Sequence, residues 1–143
     1  MTKSESNYIL KLRNSGLRPT KQRLKICEVL FNREKTFHFT INDLAKNISE
    51  QLNEKISLAT VYNTVHAFKD KGYLKEISIN SDKSYFDTNI TNHHHFFDED
   101  TNELIDCNEE VIETPKIKKN ILGKKINSVE VLVKVATDNQ NQK

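Results

Sequence analysis

The chain has 143 residues, of which 29% are charged and 36% hydrophobic, a composition typical of one or two small globular domains. No apolar run approaches the length that spans a bilayer, and the polar N-terminus lacks the apolar core of a secretion signal. We therefore expect a cytoplasmic protein with no membrane partner. Residues 1–87 carry 15 Lys and Arg against 10 Asp and Glu, whereas residues 88–143 carry 7 against 10. This asymmetry indicates a part that binds a polyanion, followed by a part with another role.

Cysteine usage excludes two kinds of site. Cys27 and Cys107 are the only cysteines and lie far apart in the sequence, so one chain can build neither a Cys₄ zinc site nor a disulfide framework. We expect two reduced thiols, with Cys27 on a helix and Cys107 at the end of a strand.

Helical patterns come first along the chain. Residues 4–14 predict a short polar helix that stops at Gly16, and Thr20 is the predicted N-cap of a second helix. Thr40 and Asp43 form a capping box at the start of a third helix, which has a strong apolar stripe. A fourth helix begins after Ser57 and ends at Gly72. Its residues predicted to face inward are Leu58, Val61, Tyr62, Val65 and Phe68.

Strand patterns follow the last of these helices. Tyr73–Ile79 and Ser84–Asp87 predict a hairpin with its turn at residues 80–83, so the order is that of a winged helix-turn-helix. Residues 88–92 form a polar linker. Beyond it, the sequence predicts strands at His93–Phe97, Glu103–Cys107 and Ser128–Ala136 and a short helix at Pro115–Leu122.

The predicted fold is therefore α+β. A winged helix-turn-helix domain occupies residues 1–87, the linker residues 88–92, a small α/β domain residues 93–136, and a disordered tail residues 137–143. A three-stranded sheet with one helix buries little apolar surface, so we expect a homodimer.

The outward face of the fourth helix carries short side chains that can approach base edges in a DNA major groove. Basic residues before and within the second helix, and one at the hairpin turn, can contact phosphates. The alternative is a three-helix bundle with a polar face, although long Glu and Lys side chains are commoner on such faces. The candidate DNA-binding residues are Arg18, Thr20, Lys21, Arg23, Ser57, Ala59, Thr60, Tyr62, Asn63, Thr64 and Lys83.

Three segments carry a family resemblance. Gly16–Leu24 (GLRPTKQRL), Ser57–Asn63 (SLATVYN) and Gly72–Leu74 (GYL) closely resemble the ferric uptake regulator (Fur) superfamily, and the resemblance covers about residues 8–136. It implies a homodimeric, metal-responsive transcription factor with a winged-helix domain and an α/β dimerisation domain. The family's structural zinc site needs two CxxC pairs; Asp98 and Thr101 stand at the first pair, so that site is absent here.

The resemblance also implies one metal site between the two domains. Two or three imidazoles with one or two carboxylates suit Fe²⁺, Mn²⁺ or Zn²⁺, and alternation along a strand puts His93 and His95 on one face. The alternative for His38 is a packed loop histidine between two phenylalanines. The positions that match the family site are His38, Asp87, His93, His95 and Asp106.

The segment His93-His94-His95-Phe96-Phe97 most resembles the iron response regulator (Irr) branch of the superfamily. That resemblance implies haem sensing through His93, His94 and His95, with Phe96, Phe97 and Ile105 against the ring. The expected function is a DNA-binding repressor of iron or haem homeostasis, not an enzyme. Two alternatives stay open: a Fur-like or peroxide-sensing repressor that uses Fe²⁺ or Mn²⁺, and a small metalloenzyme built on His93, His95 and Asp106.

Overall fold

The computed structural model describes residues 1–139 and has the predicted α+β fold. The chain forms two compact units, one from Met1 to Ile90 and one that begins at Thr91. The first unit contains four helices and three strands: α1 (Lys3–Asn14), α2 (Lys21–Phe31), β1 (His38–Phe39), α3 (Ile41–Leu52), α4 (Leu58–Lys71), β2 (Lys75–Asn80) and β3 (Lys83–Asp87).

Each helix of the first unit begins at the residue whose side chain caps it. Thr20 accepts a hydrogen bond from the backbone N–H of Arg23, and Ser57 accepts one from that of Thr60. Thr40 and Asp43 form the predicted capping box, in which each side chain bonds the other residue's backbone N–H. α4 ends where Gly72 adopts a φ of +89°, which other residues rarely reach. The predicted starts of the four helices, and the predicted ends of the first and the fourth, are confirmed to within about one residue.

One apolar core lies among these helices and the sheet. The helices supply most of it, and Phe39, Ile56, Leu74 and Phe86 supply the rest. Every buried side chain here gains the free energy of leaving water. The core residues that are no more than 1% exposed are Leu12, Ile26, Cys27, Leu30, Phe39, Leu44, Ile48, Val61, Val65 and Phe68.

The first sheet has the strand order β1-β3-β2, and all its pairs are antiparallel. The β2–β3 hairpin was predicted, but β1 was not. Two residues are too short a run to show alternation, and the partner of His38 is Asp87, far along the chain. The pairing matters because it sets His38 opposite Asp87.

The inward face of α4 differs from the prediction in three residues. Leu58 is 53% exposed and Tyr62 is 52% exposed, whereas Thr64, predicted to face outward, is fully buried. The buried stripe is Val61, Thr64, Val65 and Phe68, which is one regular helix face. Thr64 is tolerated there because its hydroxyl donates to the carbonyl of Thr60 at 2.7 Å, so no polar group is left unpaired.

The second unit is a three-stranded sheet made of β4 (His94–Asp98), β5 (Glu103–Cys107) and β6 (Leu132–Val135). Its order is β5-β4-β6, with β5 antiparallel and β6 parallel to the central strand. The first two predicted strands are confirmed. The third is shorter than predicted because only Leu132–Val135 pairs with β4.

The predicted helix at Pro115–Leu122 is wrong, because the structure has an irregular segment there. Ile121 is 73% exposed and Leu122 is 98% exposed, so the segment has no apolar surface to pack against. A helix of two turns without tertiary contacts is not stable in water.

Two further predictions concern the chain end and membranes. Of the predicted disordered tail, Thr137 bonds Asp100 through its backbone N–H and its hydroxyl, and residues 140–143 lie outside the described residues. No helix within residues 1–139 combines the length and the apolar character that a membrane span requires.

Candidate metal centre and DNA-reading face

Two histidines and an aspartate converge on one face of the second sheet. Residues alternate between the faces of a strand, so His93 and His95 point the same way, and Asp106 lies directly opposite His95 on β5. The Nε2 atoms of both histidines lie 3.1 Å from the same carboxylate oxygen, Oδ1 of Asp106. The imidazole centroids are 4.3 Å apart. The His95 side chain is 4% exposed, whereas that of Asp106 is 34% exposed, so the group is open to water on the side of the carboxylate.

The hydrogen bond at the second ring nitrogen of His93 determines which tautomer this histidine adopts. Nδ1 of His93 lies 2.6 Å from the carbonyl oxygen of Thr91, which can only accept, so Nδ1 carries the proton. In the neutral ring Nε2 then presents a lone pair toward the Asp106 carboxylate, and two acceptors at 3.1 Å repel each other. A proton or a metal cation between them removes that repulsion. The potential ligand atoms of these three residues all lie within 4.8 Å of one another.

A second histidine–carboxylate pair lies in the first unit. Nε2 of His38 is 3.0 Å from Oδ2 of Asp87, and Asp87 is fully buried. The other oxygen, Oδ1, accepts the backbone N–H of Asn89 at 2.8 Å. On the opposite side, Lys75 of β2 is paired with Asp87 in the sheet register. Burial lowers the pKa of Lys75, and the charge of Asp87 opposes that shift. The buried carboxylate thus has His38 on one flank and Lys75 on the other.

His94 belongs to the opposite face of β4. Its Nδ1 accepts the backbone N–H of Val131 at 2.9 Å, so Nε2 carries the proton and donates to Oγ1 of Thr114, also at 2.9 Å. The Thr114 hydroxyl in turn donates to Glu109, and this contact holds the pKa of Glu109 below its ordinary value. His94 is 3% exposed and both ring nitrogens are used, so it binds β4 to its neighbours and has no nitrogen left for haem.

The apolar side chains expected against a haem ring are also divided. Phe96 lies opposite Ile105 in the β4–β5 register and therefore shares the face of His94. Phe97 shares the face of His95 but is 4% exposed and packed within the unit. The histidine triplet therefore consists of two potential ligands and one structural residue, a division that strand alternation alone predicts.

The exposed surface of α4 retains most of the DNA-binding candidates. Ser57, Ala59, Tyr62 and Asn63 are exposed, and Thr60 is half-buried with its hydroxyl 2.8 Å from that of Ser57. Thr64 is removed from this surface by its burial. What remains is a face of short side chains with one exposed aromatic ring.

The basic candidates lie at the start of α2 and at the β2–β3 turn. Arg18 and Lys21 are exposed, and Arg23 donates to the backbone carbonyl of Arg18 at 2.9 Å while Thr20 caps the helix. The Lys83 ammonium lies 5.4 Å from the ring centroid of Tyr85. These cations and the exposed face of α4 belong to the same unit.

Two residues near these sites were missed. Lys75 is placed beside Asp87 by a cross-strand register, which a single sequence does not fix. His66 packs on Tyr62 with a centroid distance of 4.1 Å, and the signal was available because residues four apart on a helix are neighbours.

Both cysteines are buried in hydrophobic surroundings, Cys27 in the first unit and Cys107 in the second. Burial raises the pKa of Cys27 to about 12 and raises that of Cys107 as well. The structure has no bond between the two thiols, as expected, and burial disfavours the thiolate form that binds metals.

Comparison with known proteins agrees with this geometry. The chain matches the Ferric uptake regulator family over residues 14–135. It is 38% identical over 111 residues to the ferric uptake regulation protein of Vibrio anguillarum, which covers 77% of this chain and 72% of that protein. It is 35% identical over 98 residues to the peroxide-responsive repressor PerR of Staphylococcus aureus, which covers 68% of this chain and 64% of that protein. The chain thus spans less than two thirds of the length of that staphylococcal relative.

Solved structures with the same fold include two ferric uptake regulators. The one from Pseudomonas aeruginosa, solved with manganese, has a TM-score of 0.66 and 25% identity and covers 96% of this chain and 100% of that chain. The one from Vibrio cholerae has a TM-score of 0.65 and 25% identity, with coverages of 90% and 98%. This chain belongs to the ferric uptake regulator family.

Proposed function

We propose that this protein is a metal-dependent transcriptional regulator that binds operator DNA as a homodimer in the cytoplasm. The observation that carries the proposal is the pair of Nε2 atoms that meet one Asp106 oxygen while Nδ1 of His93 is fixed as a donor. A metal cation at the centre of this arrangement would remove the repulsion between the acceptors. In our proposal residues 1–87 bind DNA, residues 88–92 link the domains, and residues 93–136 sense the metal and dimerise.

One divalent ion, Fe²⁺, Mn²⁺ or Zn²⁺, would be held by residues of both units. His93, His95 and Asp106 offer two imidazoles and a carboxylate, and His38 with Asp87 offers one more of each. Neither set alone satisfies the five or six positions that Fe²⁺ or Mn²⁺ prefers, and together the donors have the mixed nitrogen and oxygen character that suits these ions. When bound, the ion supplies the positive charge that the two carboxylates share. The manganese in the related Pseudomonas structure supports this ion class.

A site shared between the two domains would act as a switch on DNA binding. Ligands on both sides of the linker favour those arrangements of the domains in which all of them reach the same ion, so metal binding shifts the population toward that arrangement. The exposed face of α4 reads base edges, and Arg18, Lys21, Arg23 and Lys83 contact phosphates.

Two versions of this function differ in the effector that the regulator would sense. The similarity to the staphylococcal PerR favours a peroxide-sensing repressor, in which His38, His93 or His95 would be oxidised. We expect iron-loaded protein to gain the mass of one oxygen atom on a ligand histidine after peroxide treatment, and unmodified histidines would exclude this version. In the haem-sensing, Irr-like version, only His93 and His95 would serve as axial ligands. A Soret band that stays identical to that of free haem when the protein is added would exclude this version.

The metal switch is tested by two measurements on the full chain. Mn²⁺ affinity is measured from the electron paramagnetic resonance signal of the free ion. DNA affinity is measured by fluorescence anisotropy on a duplex that the Mn²⁺-loaded protein selects from a random library. We expect Asp106→Asn to weaken Mn²⁺ binding by more than about tenfold and to remove the Mn²⁺ dependence of DNA binding.

The matched control is Glu103→Gln, which neutralises an exposed carboxylate on the same strand. It should leave both measurements unchanged. Equal Mn²⁺ affinity in wild type, Asp106→Asn and Glu103→Gln would contradict the metal site. Selection that enriches no sequence at any salt concentration would contradict the regulatory function and return the metalloenzyme alternative.

A further inference from the structure

We propose that His66 is a positioning residue that holds the ring of Tyr62 in the orientation used to read DNA. This inference rests on the proposed DNA-binding function and deepens it. It concerns a residue that is not among the DNA-binding candidates on the exposed face of α4. The observations that carry it are ring contacts within the first unit.

Tyr62 and His66 lie four residues apart on α4, the spacing at which side chains of a helix touch. Side chains of a helix lean toward its N-terminus, so His66 reaches back over the turn that carries Tyr62. Their ring centroids are 4.1 Å apart with an interplanar angle of 36°. Tyr62 is 52% exposed, so its ring has water on its outer side and the imidazole on its inner side.

The other side of the imidazole is fixed by the core. The rings of His66 and Phe86 meet edge to face, with centroids 5.4 Å apart and an interplanar angle of 81°. Phe86 is 2% exposed and stacks in turn on Phe39 at 5.8 Å. The His66 imidazole therefore packs between the buried ring of Phe86 and the exposed ring of Tyr62. A flexible residue at this position would leave Tyr62 free to sample several rotamers.

The same contacts connect the exposed face of α4 to His38 and Asp87, the proposed metal ligands of the first unit. Phe86 precedes Asp87 on β3, and Phe39 follows His38 on β1. His66 thus packs against the pair of strands, β1 and β3, that carry His38 and Asp87. An exposed ring already held in one orientation binds DNA without losing rotamer entropy in the complex, and this is how a residue that need not touch DNA can raise affinity.

The test compares three substitutions in the full, Mn²⁺-loaded protein on the selected duplex. His66→Ala removes the ring, His66→Gln keeps a polar side chain of similar length, and His66→Phe keeps a ring. We expect the alanine and glutamine variants to lose roughly three- to tenfold in affinity for the selected duplex and the phenylalanine variant to retain it. Affinity for a random duplex should change less in all three. Thermal unfolding followed by tyrosine fluorescence identifies any variant that is not folded.

A double-mutant cycle separates positioning from a general structural effect. If His66 acts through Tyr62, the loss caused by His66→Ala should disappear in a Tyr62→Ala background. Additive losses, or alanine and glutamine variants that bind the selected duplex as tightly as wild type, would overturn the inference. A phenylalanine variant as weak as the alanine variant would also overturn it, since a direct polar role of the imidazole would then be indicated. Failure of the wild-type protein to select any duplex counts against the proposed function instead.

Discussion

At the scale of single residues, burial and hydrogen bonding decide which of two similar side chains is available for function. His93 and His95 converge on one carboxylate, whereas His94 has both nitrogens bonded to its own domain. Thr60 lies near the reading surface, whereas Thr64 on the same helix is fully buried. Residue type alone distinguishes neither pair, but position on the strand or helix distinguishes both.

A first prediction concerns Cys27, which is fully buried and whose pKa is raised to about 12 because burial disfavours the thiolate. The unfolded chain ionises this thiol near its ordinary pKa of 9, so between pH 9 and 12 the folded state holds the proton that the unfolded state loses. The thiol's contribution to the free energy of unfolding is complete below pH 9 and falls by about 1.4 kcal/mol per pH unit above it.

The measurement is denaturant unfolding of wild type and Cys27→Ala across this pH range. Tyrosines and lysines titrate in both proteins, so the difference between the two isolates the thiol. The alanine variant should be the less stable at pH 8, and the gap should narrow as the pH rises. A gap independent of pH would show that Cys27 ionises normally in the folded protein.

At the scale of elements, local sequence signals predict a boundary reliably where a side chain caps the element. Thr20, Thr40 and Ser57 each cap the helix they were expected to cap, and Gly72 ends α4. The predictions that failed depend on distant partners. β1 exists because it pairs with β3, and Pro115–Leu122 is not helical because none of the described residues of its unit covers Ile121 and Leu122.

The candidate site follows the same rule. Strand alternation predicts that His93 and His95 share one face, whereas Asp106 was expected beside them only from the family resemblance. Lys75 lies beside Asp87 because of the register between β2 and β3. His94 bonds Val131 and Thr114 because long loops return to β4. A single sequence does not fix such contacts.

His94 provides the prediction at this scale. His94→Phe keeps the ring but leaves the Val131 N–H and the Thr114 hydroxyl without their buried partner, which costs about 2 kcal/mol. The measurement is hydrogen exchange in the second unit, where the amide of His95 bonds the carbonyl of Val131 at 3.0 Å. We expect this amide to exchange at least about tenfold faster in the variant. The control is Thr114→Val, which removes one of the two bonds and should have a smaller effect. Unchanged exchange in both variants would mean that the bonds of His94 do not hold the strand.

At the scale of the whole molecule, the two units have different chemical resources. All four tyrosines lie between Tyr8 and Tyr85, in the first unit, whereas three of the five proposed metal ligands lie in the second. Tyrosine fluorescence therefore reports on the first unit alone. A tyrosine response to metal that depends on a ligand in the second unit would demonstrate coupling between them.

The last prediction tests whether one ion is shared. We expect one Mn²⁺ per chain and a tyrosine fluorescence change on binding that is lost in both His38→Ala and His93→Ala. The losses in Mn²⁺ affinity of the two variants should be non-additive in the double variant, because either substitution breaks the same coordination shell. Two independent ions per chain, or strictly additive losses, would show that the histidine–aspartate groups of the two units are separate sites.

The parallel pairing of β6 with β4 bears on how the protein folds as it is synthesised. The first sheet closes with β3, so every partner of the first unit's core has been made by residue 87. The central strand of the second sheet, in contrast, waits for β6 across residues 99–131, and long loops close slowly. On the ribosome, the first unit has all its contacts while the sheet that carries His93, His95 and Asp106 still lacks its third strand. The emerging chain therefore completes the exposed face of α4 before the sheet that brings these three residues together.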